Sequence, residues 1–169
     1  MVKKILVILI TGICFLSCGK GISPEPEGKV NTTGFGGLVV FKGKWPTGIK
    51  RTLIVAFKNP LNSAGDFNAF NLGFVSDSIP YGISSIFYSS LKNPLLEILP
   101  GVYSYVAVAQ SSTPTISLTR KDWKVVGIYY SNGNNSNPGK LIISKNEFVP
   151  NINITCDFDN PPPQPPGGE

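Results

Sequence analysis

Val102-Tyr103-Ser104-Tyr105-Val106-Ala107-Val108-Ala109 is apolar on both of its alternating faces. Successive side chains of a strand point to opposite sides, so this run has no face to give to water and belongs at the centre of a sheet. Shorter runs of the same character flank it. Leu38-Val39-Val40-Phe41 is stopped by Gly43 and the Trp45-Pro46 step, and Thr52 to Phe57 ends at Asn59-Pro60. Ile83 to Ser89, Leu95 to Ile98, Lys124 to Tyr130, Lys140 to Ile143 and Asn151 to Phe158 complete the set. Branched and aromatic residues suit a pleated, half-buried surface, and turn residues separate the runs. The pattern predicts an all-β fold, an antiparallel β-sandwich of about 7–8 strands.

The stretch Gly65 to Gly73 breaks the strand pattern. Asp66 is placed to cap a helical turn, Phe67 and Phe70 fall on one face at i, i+3, and Gly73 ends it. A short helical turn is therefore expected near 66–72, in the loop between the second and third strands.

The N-terminus has a different character. A basic head, Met1 to Lys4, precedes an apolar run of 12 residues, Ile5 to Leu16. As a helix that run reaches roughly 18 Å, against a hydrocarbon core of about 30 Å, so residues 1–17 are expected to form a cleaved signal peptide. Phe15-Leu16-Ser17-Cys18 resembles the lipobox of bacterial lipoproteins, with Phe15 where that family prefers Leu. The resemblance implies that Cys18 becomes the first mature residue and carries the lipid. Two or three acyl chains would hold the protein on a membrane stably, where one binds marginally. Gly19 stands where retention signals place Asp, so the family pattern implies an exported protein lipid-anchored to the cell envelope, at the outer membrane and facing the periplasm.

The remaining boundaries follow from composition. Residues 18–35 are the lipidated Cys18 and a flexible tether poor in apolar content. Residues 36–159 form the β-sandwich domain. Residues 160–169, rich in Pro and Gly, are expected to be a disordered tail of extended polyproline character. Cys14 leaves with the signal peptide and Cys18 is consumed by the lipid, which leaves Cys156 unpaired. Ile152, Ile154, Cys156 and Phe158 alternate with polar residues, so Cys156 lies on the apolar face of a strand as a small hydrophobe.

The chain of 169 residues contains no histidine. That removes Ser-His-Asp and Cys-His catalysis, histidine general bases and His-ligated zinc. Without residues 1–17 the net charge of +5 falls to about +3, because Lys3 and Lys4 go with the signal. The basic residues are scattered rather than clustered, so no nucleic-acid partner is expected. Nothing in the sequence asks for a cofactor.

Leu99-Pro100-Gly101-Val102-Tyr103, at the entrance to the central run, resembles the turn of prealbumin-like sandwiches. These include the regulatory-like domain of carboxypeptidases and the B-type repeats of bacterial surface proteins. Pro fixes φ, Gly permits φ > 0, and Tyr begins the next strand packed over the turn. Phe41 to Pro46, Ala56 to Pro60, Ile79 to Gly82, Trp123 to Tyr130 and Asp157 to Asn160 resemble, in that order, a group of small envelope lipoproteins carrying such a domain. The resemblance implies fold and location; it brings no reaction and no catalytic residue. Carbohydrate binding by some members of the wider fold is an analogy.

Three functions are therefore open: a non-catalytic accessory or structural module that docks on an envelope protein, a carbohydrate-binding module, or a carboxylate-dependent enzyme. The partners expected are the membrane, through the N-terminal lipid, and an unknown envelope protein or glycan. Trp45, Phe67, Phe70, Phe74 and Tyr81 are the candidate ligand-binding residues, because exposed rings stack on sugars while buried ones fill a core. Asp157, Asp159 and Asn160 offer oxygen atoms at a strand end, against the six to eight that calcium takes. Gly34 to Gly37 precedes a strand rather than a helix, so it cannot cradle a phosphate. Lys121 and Asp122 are an ordinary surface pair.

Overall fold

The computed structural model describes residues 32–131 and 137–168. The expected signal peptide, Cys18 and most of the expected tether lie outside the described residues, as does most of the polar loop between Ser131 and Pro138. Among the described residues ten short strands form: β1 (Gly34–Lys42), β2 (Arg51–Phe57), β3 (Leu72–Val75), β4 (Ser85–Ser89), β5 (Gly101–Tyr103), β6 (Tyr105–Ser111), β7 (Lys124–Tyr129), β8 (Leu141–Ile143), β9 (Phe148–Val149) and β10 (Ile154–Asp157). The described fold is all-β. Seven strands run in the order β3-β2-β6-β7-β10-β1-β4, β9 joins β1 off this path, and β5 pairs with β8 in a second, two-stranded sheet.

β6 is buried along its whole length, between β2 and β7. Val106 and Val108 belong to the main core with Phe35, Val39, Ile54, Phe74, Val126, Ile154 and Cys156. Tyr105 and Ala107 point the other way and pack with Phe57, Leu61, Val125 and Ile128. Tyr103, Leu141 and Ile143 bring the second sheet into the main core. The run 102–109 is not one strand, however. It changes sheets at Ser104, whose N–H donates to the Phe57 carbonyl at 2.9 Å. Tyr103 folds back to donate its hydroxyl to the Leu99 carbonyl at 2.8 Å, which closes the turn. Gly101 does not use a positive φ there. The tight fit is at Gly73 instead, where a Cβ would overlap the Tyr103 ring.

The sheet is mixed rather than antiparallel throughout. β1 runs parallel to β10, with Val39 opposite Ile154 and Phe41 opposite Cys156, and parallel to β9. Pro150 has no N–H to give and Asn151 is left-handed, at φ 63, so the run 151–158 is shortened and a separate β9 precedes it. Ile152, Ile154 and Cys156 are buried and alternate with exposed neighbours, as the pattern requires. Cys156 is a free, buried thiol, and burial pushes its pKa up to about 12.

Three further expectations are corrected. β1 starts at Gly34, and Phe35 is fully buried, so residues 34–35 belong to the domain and not to the tether. Leu95 to Ile98 is not a strand; Leu96 makes one bridge to Val75. The helical turn is a 3₁₀ turn at Ala64–Asp66, and β3 occupies residues assigned to its end. Asp66 closes that turn by accepting from the N–H groups of Ser63 and Asn62, which hold its carboxyl below the usual range. Asn68 ends it by accepting from the N–H of Phe70 and Asn71.

The tail departs from expected disorder. β10 ends before it can cover Val125, and the Gln164 amide takes the vacant place, accepting from Val125 N at 2.9 Å and donating to Val125 O at 2.8 Å. The buried Arg120 guanidinium donates to the carbonyls of Trp123 and Pro165 and lies over the Phe67 ring at 5.9 Å.

Candidate functional site

The two ends of the large sheet are treated differently. At β3, Leu95 N and Leu96 N donate to the Val75 carbonyl and Val75 N donates back to Leu96, so that edge is closed. At β4, no described strand pairs with the outer edge, and of its outward groups the Ser89 carbonyl accepts from Lys92 N at 3.2 Å in the turn that follows. The register on β1 sets which groups stay open. Phe41 N donates to Ser84 O and Ser90 N to Phe35 O, and Leu38 lies opposite Phe87. Bonded pairs alternate in an antiparallel ladder, so Ile86 and Tyr88 turn their backbone groups toward β1. Ser85, Phe87 and Ser89 turn theirs outward.

Side chains alternate as well. Ile86 and Tyr88 pack on the core, and Tyr88 donates its hydroxyl to Ile152 O at 2.7 Å. Phe87 faces away and is 83% exposed, beside half-buried Leu38 on β1. Phe148 is exposed near Gly36 on the same strand. Natural sheets guard open edges with charge, proline or bulges. From Ile83 to Ser90 there is no charge and no proline. Phe87 was missed in the sequence, although three consecutive apolar residues in a strand, Ile86-Phe87-Tyr88, require one to face outward.

The five candidate aromatic residues do not form one surface. Phe74 is fully buried with its ring edge-on to Phe35 at 5.0 Å; it is a core residue and not a ligand contact. Phe67 is half-buried against Phe57 at 5.6 Å. Phe70 is 91% exposed, and does not share the face of Phe67. Trp45 and Tyr81 do meet, at 5.1 Å, and Trp45 also packs on Phe41 and Phe158 at 4.6 and 5.1 Å. The indole N–H donates to Ile83 O at 3.0 Å, which fixes the ring, while Tyr81 stays 55% exposed.

The acidic candidates lie at the same end of the sheet. Asp157 turns the chain, accepting from the N–H groups of Asp159 and Asn160 at 3.1 and 3.2 Å. The Asp159 carboxylate sits over Gly43, where a Cβ would strike it and φ is +80. Among the described residues no group of three or more His, Cys, Asp or Glu side chains is disposed to hold a metal. Elsewhere, a groove of about 460 Å³ runs between the tail prolines and Leu61, Tyr105 and Tyr130. The Tyr105 hydroxyl is buried there without a hydrogen-bond partner among the described residues, and burial raises its pKa. No described helix is long and apolar enough to cross a membrane.

Compared with known proteins, the chain matches no protein-family model, no curated protein and no solved structure.

Proposed function

We propose that this protein is a bacterial envelope lipoprotein, exported and anchored through an acylated Cys18 at the outer membrane, whose prealbumin-like β-sandwich is a non-catalytic module that docks on protein. The observation that carries the docking is the open edge of β4, uncharged and crowned by Phe87, beside a β3 edge that is closed. An extended partner strand satisfies the outward backbone groups, and Phe87 supplies apolar contact next to them. The sandwich assignment is supported by the second sheet packing into the main core and by the Tyr103-closed turn at Leu99–Tyr103. The anchor is supported by the sequence of residues 1–18.

A photo-crosslinking residue at Phe87, in cells producing the full chain, tests the reading. Protein adducts are expected at Phe87 and not at the equally exposed Phe70, and in the membrane fraction. Cys18→Ala is expected to release the chain from that fraction. Equal adducts at both positions contradict edge docking, and membrane retention of Cys18→Ala contradicts the lipid anchor.

Binding of a glycan is the second reading, favoured by the Trp45–Tyr81 pair with the Asp159 carboxylate at the same end of the fold. A ring platform beside a hydrogen-bond acceptor suits a sugar face and its hydroxyls. Tyr81→Ala is the variant that tests it, because Trp45 also packs on Phe41 and Phe158. Co-sedimentation with envelope polysaccharide that is lost in Tyr81→Ala favours the glycan; no co-sedimentation of the unaltered chain removes it.

A further inference from the structure

Resting on the docking reading, we infer that the strand which pairs with β4 is β4 of a second copy, in an antiparallel register centred on Phe87. Self-pairing about a two-fold axis is fullest where the axis passes through the middle one of the residues whose N–H and C=O both point outward, since that residue exchanges both bonds with its twin and its outward neighbours meet each other. Ser85, Phe87 and Ser89 have that orientation, and Phe87 is the middle one of the three. Centring on Phe87 sets Ser85 opposite Ser89 of the second copy, so each outward position meets another outward position. Centring on Ile86 or Tyr88 makes that residue a non-bonded pair with its twin, and leaves Ser89 facing Ile83 or Ser85 facing Leu91 of the second copy, outside β4.

The side chains agree with the same axis. Phe87 would stand directly across from Phe87 of the second copy on the exposed face, an aromatic cross-strand pair of the kind that stabilises sheets. Two copies of one edge bring identical charges together, which normally opposes self-pairing. Here no charge lies between Ile83 and Ser90, and Lys92 falls opposite Gly82 of the second copy rather than opposite its own twin. An acidic or basic partner strand would find no complementary charge on this edge. The isologous contact closes on itself and leaves the two closed β3 edges at the outer ends of the joined sheet.

The full chain, extracted from membranes in mild detergent, gives the test. Its protein mass by light scattering is expected to equal two chains, each the 18.2 kDa of the full sequence less residues 1–17, and Phe87→Lys is expected to give one such chain with an unchanged far-UV spectrum. Register is read with cysteines. Phe87→Cys is expected to form a disulfide-linked pair under oxidation. Ser85→Cys and Ser89→Cys are each expected to form none alone, but to crosslink when the two are co-expressed. A single-chain mass for the unaltered protein, or crosslinking that is indifferent to register, overturns the self-pairing. If Phe87 is then captured by a different polypeptide in cells, docking stands without self-pairing; if it is captured by nothing, both fall.

Discussion

Phe74 and Phe70 stand four residues apart with opposite fates, which burial alone decides. Phe74 fills the core against Phe35, so Phe74→Ala leaves a cavity and is expected to lower stability by about 3–5 kcal/mol. Phe70→Ala removes a ring that is exposed to water and is expected to stay within about 0.5 kcal/mol of the parent. Urea denaturation of the two variants checks the contrast. Cys156 allows a second test. With its pKa pushed up to about 12 by burial, the thiol is neutral at pH 8, and a thiol reagent is expected to leave it untouched until the fold opens. The pKa is raised in the fold, so the stability it contributes is complete below the unfolded value of about 8.5. That contribution declines as pH rises toward the folded value. Rapid labelling at pH 8 in the folded protein would refute the burial. The alternation of Ile152, Ile154 and Cys156 announced that burial; nothing local distinguished Phe74 from Phe70, because their fates depend on which strand packs over them.

At the scale of elements, a strand pattern reports which face is apolar and is silent about direction. Asn151 to Phe158 alternates in the same way whether β10 runs with β1 or against it, so the parallel pairing was not legible. Nor was the switch of sheets at Ser104, since 102–109 is apolar on both sides of the break. The centrality of β6 was legible, because a run with two apolar faces has one place to go. The tail illustrates the opposite failure. Its composition argues against helix and strand, and it forms neither, yet a single glutamine finds the ladder position at Val125 that β10 leaves open. Gln164→Ala is expected to speed hydrogen exchange at the Val125 amide and to expose residues 160–168 to protease, with a cost of about 1–3 kcal/mol for the unmet backbone groups. Unchanged exchange at Val125 would mean the amide does not hold the tail.

For the whole molecule, the asymmetry of the large sheet is the property with functional reach. One edge is sealed by Leu95 and Leu96 at Val75, and the other presents Ser85 and Phe87 without charge, proline or cover, with Ser89 beyond them bonded through its carbonyl to Lys92 N. An edge of this kind is an aggregation liability in a free protein and a binding device where a strand is supplied. On the proposal that the full chain is anchored to a membrane, hydrogen exchange in isolated membranes separates these conditions residue by residue. Ile86 and Tyr88 amides are bonded to β1 and are expected to exchange slowly in every state. The Phe87 amide is expected to be as slow as its neighbours in the membrane, and fast in the Phe87→Lys variant at the same position. A Phe87 amide that exchanges freely in the native membrane, between two protected neighbours, would contradict docking at this edge.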